Sequence, residues 1–439
     1  MDNFAQRLIQ LIQEFVLKCR TSLIISRLYK ILSVDVFAKA LGFILLPVYL
    51  QMMSQEEFGL YGYLLSIITA FSLFLNLGLY VAQIKLFSDY EGNERGSMIF
   101  TINVLLSFFL CIIIVVIYLL ELDYSIVSFM FSNQLNYVDY RMFVFFSIVT
   151  SIFWLMVHSY FLASENITLI QLNTIAKVIL INVLVIYYLY FNQSDAVLIR
   201  LKYTVVSQLL LLFIFSTFLI KRMYPKFRWD IAYRALIIGI PIMFSAIFGM
   251  LYSLADRFIL EKYVGFEIIA IYNLGFTIAS VITVLSTSFM TVYGPIFYKQ
   301  KNPALNFENV RNLLKVAIPL CISIGAGLIL VSWLMINYNI IDRDYNAVIS
   351  LLPFLIVATI IQSVNHIYML FMTYFEATYI IFLINVVSNI GNVILNIILI
   401  PRFGMYGAAF ATVVTNAIAY QFFFYSCKKR VRLAVSIDQ

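Results

Sequence analysis

Apolar residues occur along the chain in long blocks separated by short polar segments. A helix needs about 20 mainly apolar residues to cross the hydrocarbon core of a bilayer. Twelve blocks reach that length, near residues 31–53, 58–84, 98–120, 141–163, 168–191, 196–220, 234–255, 267–293, 311–337, 347–375, 378–400 and 404–427. Several exceed 25 residues, long enough to tilt or to extend past the hydrocarbon. Between the third and fourth blocks, "YSIVSFMFSNQLNYV" predicts a short helix lying on the surface. The expected fold class is an all-α polytopic membrane protein, with twelve transmembrane helices in two pseudo-symmetric six-helix lobes.

Composition removes the soluble alternatives. The 439 residues are 63% hydrophobic and only 12% charged, with Phe and Tyr together numbering 70. An average soluble domain is about 25% charged. The mean hydropathy of +0.96 leaves more apolar side chain than a water-soluble interior of this size can hide.

Charge sets the orientation. With the N-terminus inside, the segments on the cytoplasmic side carry 20 Lys and Arg, and those on the opposite side carry four, Arg257, Lys262, Arg343 and Arg402. The positive-inside rule then places both termini in the cytoplasm. The expected organisation is a cytoplasmic or interfacial segment (1–30), an N-terminal lobe (31–220), a central cytoplasmic loop (221–233), a C-terminal lobe (234–427) and a basic tail (428–439). Within 1–30, Arg7, Gln10, Glu14 and Lys18 share one helical face opposite Leu8, Leu11, Ile12 and Phe15, the pattern of an interfacial helix. No cleavable signal peptide is expected there.

The two halves echo one another. Ser54, Glu56, Gly59 and Tyr61 match Gly265, Glu267, Ala270 and Tyr272 at an offset of 211, and Asn173 and Lys177 match Asn385 and Asn389 at 212. Six spans per half give both halves the same orientation, so a pseudo-two-fold axis along the membrane normal is expected, with a site between the halves.

Polar residues inside the blocks mark that site. A Lys or Arg at mid-depth costs about 2.5–3.5 kcal/mol on insertion scales. Lys177 lies near the middle of the fifth block, Arg200 and Lys202 in the outer third of the sixth, and Lys39 in the first, four residues after Asp35. Lys39 can pair with Asp35 on one helix face, and Arg200 and Lys202 can snorkel to the interface. Lys177 is too deep for that and is expected to line an aqueous cavity. The C-terminal half offers amides instead. Asn385, Asn389, Asn392 and Asn396 form one helical stripe, and Gln362, Asn365 and His366 cluster on another helix. Such amides join membrane helices by hydrogen bonds or line a wet, polar lumen. Cations in one half and amides in the other suit a substrate with an anionic group and many hydroxyls. Asp35 is the one clear carboxylate within a block and the candidate for ion coupling.

Other chemistries find no support. There is no Walker loop, GxSxG or HExxH. Cys19, Cys111, Cys321 and Cys427 lack metal-site spacing, and two histidines, His158 and His366, cannot build a common metal site. No cofactor and no nucleic-acid partner are expected.

Three stretches resemble a known family: "MSQEEFGLYGYLLS" after the first block, "LADRFILEKYVGFEIIAIYNLG" between the seventh and eighth, and "NVILNIILIPRFGMYGAAFATVVTN" across the last two. They are similar to the O-antigen and polysaccharide flippases of the multidrug/oligosaccharidyl-lipid/polysaccharide exporter superfamily, over roughly residues 25–430. The "ADR" at Ala255–Arg257 and the pattern from Asn396 to Thr412 carry most of the likeness. The resemblance implies a two-lobed, twelve-helix fold in the bacterial inner membrane. It implies transfer of undecaprenyl-diphosphate-linked oligosaccharide between leaflets by alternating access through a cationic lumen. Its implied partners are the lipid-linked oligosaccharide, membrane lipid, and the polysaccharide polymerase with its chain-length machinery. A drug or metabolite exporter of the same superfamily is the alternative, and it predicts more embedded carboxylates.

Overall fold

The computed structural model describes residues 23–131, 137–192, 195–299, 302–375 and 377–437. Among them lie thirteen α-helices, one 3-10 turn (Arg343–Tyr345) and no strand. The helices are α1 (Leu23–Met52), α2 (Gln55–Leu75), α3 (Leu79–Phe87), α4 (Gly92–Leu119), α5 (Leu122–Met130), α6 (Tyr137–Ala163), α7 (Ile167–Phe191), α8 (Ala196–Ile220), α9 (Trp229–Val264), α10 (Phe266–Lys299), α11 (Pro303–Asn337), α12 (Ala347–Tyr374) and α13 (Thr378–Ile437). Each expected apolar block falls on a helix. Among the described residues, nine helices are long and apolar enough to cross a membrane. The chain is therefore an all-helical, multi-pass membrane protein. The interfacial helix expected before residue 19 lies outside the described residues.

Three boundaries differ from the hydropathy reading, each for a local reason. The second block is broken: α2 ends at Leu75, Leu77 (φ 56°) and Gly78 (φ 67°) turn the chain, and α3 follows. Asn76 starts α3 by accepting a hydrogen bond from Tyr80 N at 3.1 Å. A Cβ at Gly78 would lie 2.3 Å from the Gly239 carbonyl oxygen, so the turn needs glycine for both backbone and space. Secondly, α9 runs beyond 234–255 at both ends, for 36 residues. Thirdly, the last two blocks form one continuous run broken only at Gly404 (φ 56°, ψ −136°). Of the short helix expected over 124–138, α5 supplies the part up to Met130, and residues 132–136 lie outside the described ones.

The "SQEE" motif explains how α2 and α8 begin. Ser54 Oγ accepts from Glu57 N at 3.2 Å, and Ser54 N donates to Glu57 Oε2 at 2.8 Å, a closed capping box. The other oxygen, Glu57 Oε1, accepts from Ala196 N at 3.0 Å and so holds the start of α8 as well.

Among the described residues, the buried core has three parts. The largest lies at the end of the bundle opposite the basic loops, hereafter the far end. It joins residues of both halves, among them Tyr63, Leu64, Ile269, Tyr272 and Leu351. At the basic end there are two separate cores. One holds residues of α3, α4, α6 and α8 with Ile231 and Ala235 from the start of α9. The other belongs to α10 through α13 alone, with Phe297, Phe371 and Phe423 at its centre. The halves thus share a core at the far end and keep separate ones at the basic end.

The segments that echo one another in sequence meet at the shared core. A Cβ at Gly59 would lie 1.9 Å from the Phe266 carbonyl oxygen and 3.0 Å from Ala270 N, and one at Gly62 would lie 2.3 Å from Asn273 Nδ2. Gly59 and Ala270, like Gly62 and Asn273, are separated by the repeat offset of 211. The central basic loop docks on the N-terminal half: Arg228 N donates to Thr101 Oγ1 at 3.1 Å, and Arg234 reaches Asp89 at 2.7 Å and the Tyr90 hydroxyl at 2.8 Å.

Candidate functional site

Between the halves lies a cavity of about 240 Å³, lined by Leu65, Ser66 and Thr69 of α2, Asp256 and Arg257 of α9, Phe276 of α10 and Thr412 of α13. The spacing of Leu65 and Thr69 turns one stripe of α2 towards it. Three hydroxyls, one carboxylate and one guanidinium therefore meet in an otherwise apolar bundle.

Arg257 is held in place from several sides. Its Nε donates to Asn273 Oδ1 at 2.7 Å, its Nη1 lies 3.4 Å from Asp256 Oδ1, and its guanidinium carbon stands 5.3 Å from the Phe276 ring centre. Asp256 Oδ2 in turn accepts from the Tyr272 hydroxyl at 2.7 Å. Only 11% of the Arg257 side chain and 7% of that of Asp256 are exposed. Such a buried polar network fixes the position of its charges. Sequence reasoning placed Arg257 among the cations of the outer loops, because the apolar block stops at 255. The helix continues to Val264, which puts Arg257 about two turns inside it. The signal that could have found it is the "ADR" motif itself, a charge pair set into an apolar helix.

The cations singled out from the sequence have other surroundings. Lys177 on α7 places Nζ 4.7 Å from the ring centre of Trp154 on α6, within the N-terminal half. The Arg200 guanidinium lies between Tyr49 and Tyr61, 3.9 Å from each ring centre, and its Nη1 is 3.4 Å from Met53 Sδ. Desolvated cation–π contacts of this kind are worth about 2 kcal/mol. Lys202 is exposed, with Nζ 5.5 Å from the Tyr203 ring centre. Asp35 and Lys39 share a face of α1, but their side chains lie outside the described ones. Among the described side chains, Lys177, Arg200 and Lys202 each have separate surroundings, and none of the three lines the cavity between the halves.

The amide stripe on α13 changes character along its length. Asn385 is exposed, Asn389 is half-buried, and Asn392 and Asn396 are buried. Exposed Leu383, Val387, Ile390, Ile394 and Ile397 lie on the opposite face. Asn389 Nδ2 donates to the Phe248 carbonyl of α9 at 3.2 Å. Deeper in, Asn392 Nδ2 lies 3.4 Å from Thr415 Oγ1, and Asn396 Nδ2 donates to Asn392 Oδ1 at 3.0 Å. On α12, Asn365 Nδ2 donates to the Asn416 carbonyl at 3.0 Å, and Asn416 Nδ2 returns a bond to the Ala358 carbonyl at 3.2 Å. Gln362 and His366 are half-buried beside Asn365. A hydrogen bond between helices accounts for Asn365, Asn392 reaches Thr415 across the Gly404 break in α13, and Asn396 bonds Asn392 within the helix. The end of the stripe towards the basic loops stays open. Among the described residues, no group of three metal-ligating side chains is found.

Two helical halves thus share a core at one end and part at the other, around a charged cavity set in apolar helices. The profile of the family described as "Polysaccharide biosynthesis protein" matches residues 28–301, and the chain belongs to that family. No curated protein sequence matches it. Among solved structures, it is similar to a lipid II flippase MurJ in an inward closed conformation. That likeness has a TM-score of 0.73 at 17% identity, covering 92% of this chain and 89% of that one. It is also similar to a MATE-family multidrug resistance transporter of the MOP superfamily in an inward-facing conformation, with a TM-score of 0.71 at 13% identity, covering 92% and 94%. An outward-facing structure of a MATE-family transporter scores 0.56 at 15% identity, covering 93% and 94%. The fold is that of this superfamily.

Proposed function

We propose that the chain flips undecaprenyl-diphosphate-linked oligosaccharide repeat units from the cytoplasmic to the periplasmic leaflet of the bacterial inner membrane. The products would feed O-antigen or other surface polysaccharide synthesis through the polymerase and its chain-length machinery. The basic end is cytoplasmic in this reading, both termini included, and the far end periplasmic. The observation that carries it is Arg257, a positioned cation lining the cavity between the halves.

A diphosphate leaving water needs a positive partner, and a guanidinium offers paired donors for phosphate oxygens. The hydroxyls of Ser66, Thr69 and Thr412, with the exposed amide of Asn385, offer hydrogen bonds to sugar. Separate cores at the basic end would admit the headgroup from the cytoplasmic side, while the polyprenyl chain remains in lipid. Lys177, half-buried on α7, is a second cation for the same headgroup, reached if α7 shifts against α6 during transport. Asp35 and Lys39 on α1 remain candidates for ion coupling and headgroup contact.

The test is export in a strain lacking the native protein, with membrane levels measured alongside. The double variant Asp256→Asn/Arg257→Gln, which leaves no unpaired buried charge, should keep protein levels near normal, lower surface polysaccharide and leave lipid-linked repeat units on the cytoplasmic side. Full export by that variant would overturn the assignment of Arg257. Normal polysaccharide in the strain without the protein, accompanied by drug sensitivity, would favour the exporter reading.

A further inference from the structure

We propose that the far end of the N-terminal half binds one phospholipid of the adjoining leaflet, with an acyl chain in a groove between α2, α4, α5 and α6 and an ammonium headgroup at Asp123. This site is separate from the cavity between the halves and does not depend on what that cavity carries. The groove has a volume of about 110 Å³, and its lining is apolar apart from Asp123. It exists because α4 leaves the bundle. Every buried residue of α4 lies between Gly96 and Leu110. Beyond them Val115, Tyr118 and Leu119 are 53%, 71% and 71% exposed. Ile113, Ile114 and Ile117 line the groove, facing Ile67 of α2 and Ile148 of α6, and all but Ile67 are only half-buried. α5 closes the end: the Tyr63 hydroxyl donates to the Met130 carbonyl at 2.8 Å, and the Phe129 and Phe258 rings lie 5.3 Å apart.

The medium around this part of α4 is hydrocarbon. A half-open apolar space at that depth offers water no partners, and leaving it empty forfeits dispersion contacts along every wall. A hydrocarbon chain restores them. The mouth selects the headgroup. Asp123 Oδ2 is paired with Arg141 Nε, and Arg141 Nη1 lies 3.3 Å from the Tyr124 hydroxyl. The second oxygen, Asp123 Oδ1, is buried and has no hydrogen-bond partner in the structure. A buried carboxylate oxygen in that state requires a donor. The donor that arrives with an acyl chain is the headgroup, and a primary ammonium carries three N–H groups where a choline carries none. A diphosphate would bring only negative charge to Asp123, so the transported lipid is disfavoured here.

The full-length chain in liposomes, with trace phospholipid carrying a photoactivatable diazirine in mid-chain, tests this. An ethanolamine-headed probe should label the peptides 110–117 and 144–149 about tenfold more than a choline-headed one, the ratio expected of one charge-assisted hydrogen bond. Asp123→Asn should bring the two probes close together. Ile114→Trp should suppress labelling of 144–149 while Tyr118 on the lipid-facing side stays labelled, and Ile114→Phe is the milder filling variant should the larger one fail to fold. Equal labelling by both probes would overturn the headgroup assignment. Labelling of 144–149 unchanged by either filling variant would overturn the groove. Displacement of the ethanolamine probe by a polyprenyl diphosphate would assign the groove to the transported lipid and overturn the proposal.

Discussion

The two ends of the bundle are held by different means. At the far end, α2 and α10 touch closely, since Gly59 leaves no room for a side chain against the Phe266 backbone; beside them the Gln51 and Gln55 side chains donate to the carbonyls of Ile340 and Asp344, in the connection between α11 and α12, at 3.0 and 3.3 Å. At the basic end, the N-terminal half and the start of α9 form one core, and α10 to α13 form another. Close packing gives two discrete arrangements rather than a continuous range. Under the proposed function, a bundle with one end fused and the other parted would be ready to receive at the parted end. The far-end contact would be the one to break when it releases.

The sharpest way to break this contrast is to separate α2 from α10. Gly59→Leu puts a side chain where even a Cβ would lie 1.9 Å from the Phe266 carbonyl oxygen. Overpacking costs about 1–3 kcal/mol, and more where backbone must move. Export should be lost, and a thiol introduced at Tyr345, whose ring centre lies 6.4 Å from that of Phe58, should become reactive from outside. Gly92→Leu on the basic side has nothing within 4 Å of its Cβ and serves as the control, though its φ of 50° adds local strain. Normal export by Gly59→Leu would mean that the far-end contact is not the gate.

Next in size is the charge between the ends. Removing Arg257 alone leaves Asp256 buried beside a vacancy, and a broken buried pair costs about 3–5 kcal/mol. The double variant Asp256→Asn/Arg257→Gln keeps the shape and removes both charges, so it should fold nearly normally. Its export should fall at least about tenfold, the loss of one charge-assisted contact. Arg257→Lys should keep part of the activity, since charge remains without the planar fork. Near-normal export by the double variant would separate the cavity from the substrate's charge.

Much of the fold was legible because membrane crossing depends on long apolar runs, and those survive every tertiary detail. The break at Leu77–Gly78 was not, because it depends on Gly239, 161 positions away, approaching the turn. Arg257 was hidden by the same logic in reverse: hydropathy ends a helix at its first charge pair, whereas Asn273, Tyr272 and Phe276 allow α9 to carry Asp256 and Arg257 inward. The amide stripe was visible as a face, since spacing alone sets it. What each amide meets was not, since that depends on Thr415 and Phe248 from other helices or turns.

The stripe gives a smaller, more graded test. Asn365→Ala should lower thermal stability by about 1 kcal/mol, a typical worth for a hydrogen bond between membrane helices, and leave export intact. Asn385→Ala should do the opposite, because its side chain is exposed and closes no contact between helices. A thiol at Asn385 should react with small water-soluble reagents and one at Asn392 should not. Equal reactivity at both would show that the far half of the stripe is wet as well.

The smallest effect is expected where charges are most visible, at the docked central loop. Arg228 contacts Asp230 at 2.6 Å and Glu94 at 3.3 Å. The Arg228 side chain bonded to Asp230 holds that carboxyl below its ordinary 3.8, and the same bond raises Arg228. A carboxylate with a depressed folded pKa contributes stability that is present above its unfolded value and lost as the pH falls through the folded one. Any loss of docking should therefore begin only below about pH 3.8 and be absent near neutrality. Both groups face solvent, where such pairs are screened and weak. Asp230→Asn should leave melting temperature and export unchanged at moderate salt, because Arg228 N on Thr101 and Arg234 on Tyr90 still hold the loop. Thr101→Val removes the buried acceptor of that backbone bond and should destabilise more than Asp230→Asn. A larger effect from Asp230→Asn would place the grip of the basic end in its exposed charges rather than in its buried backbone contact.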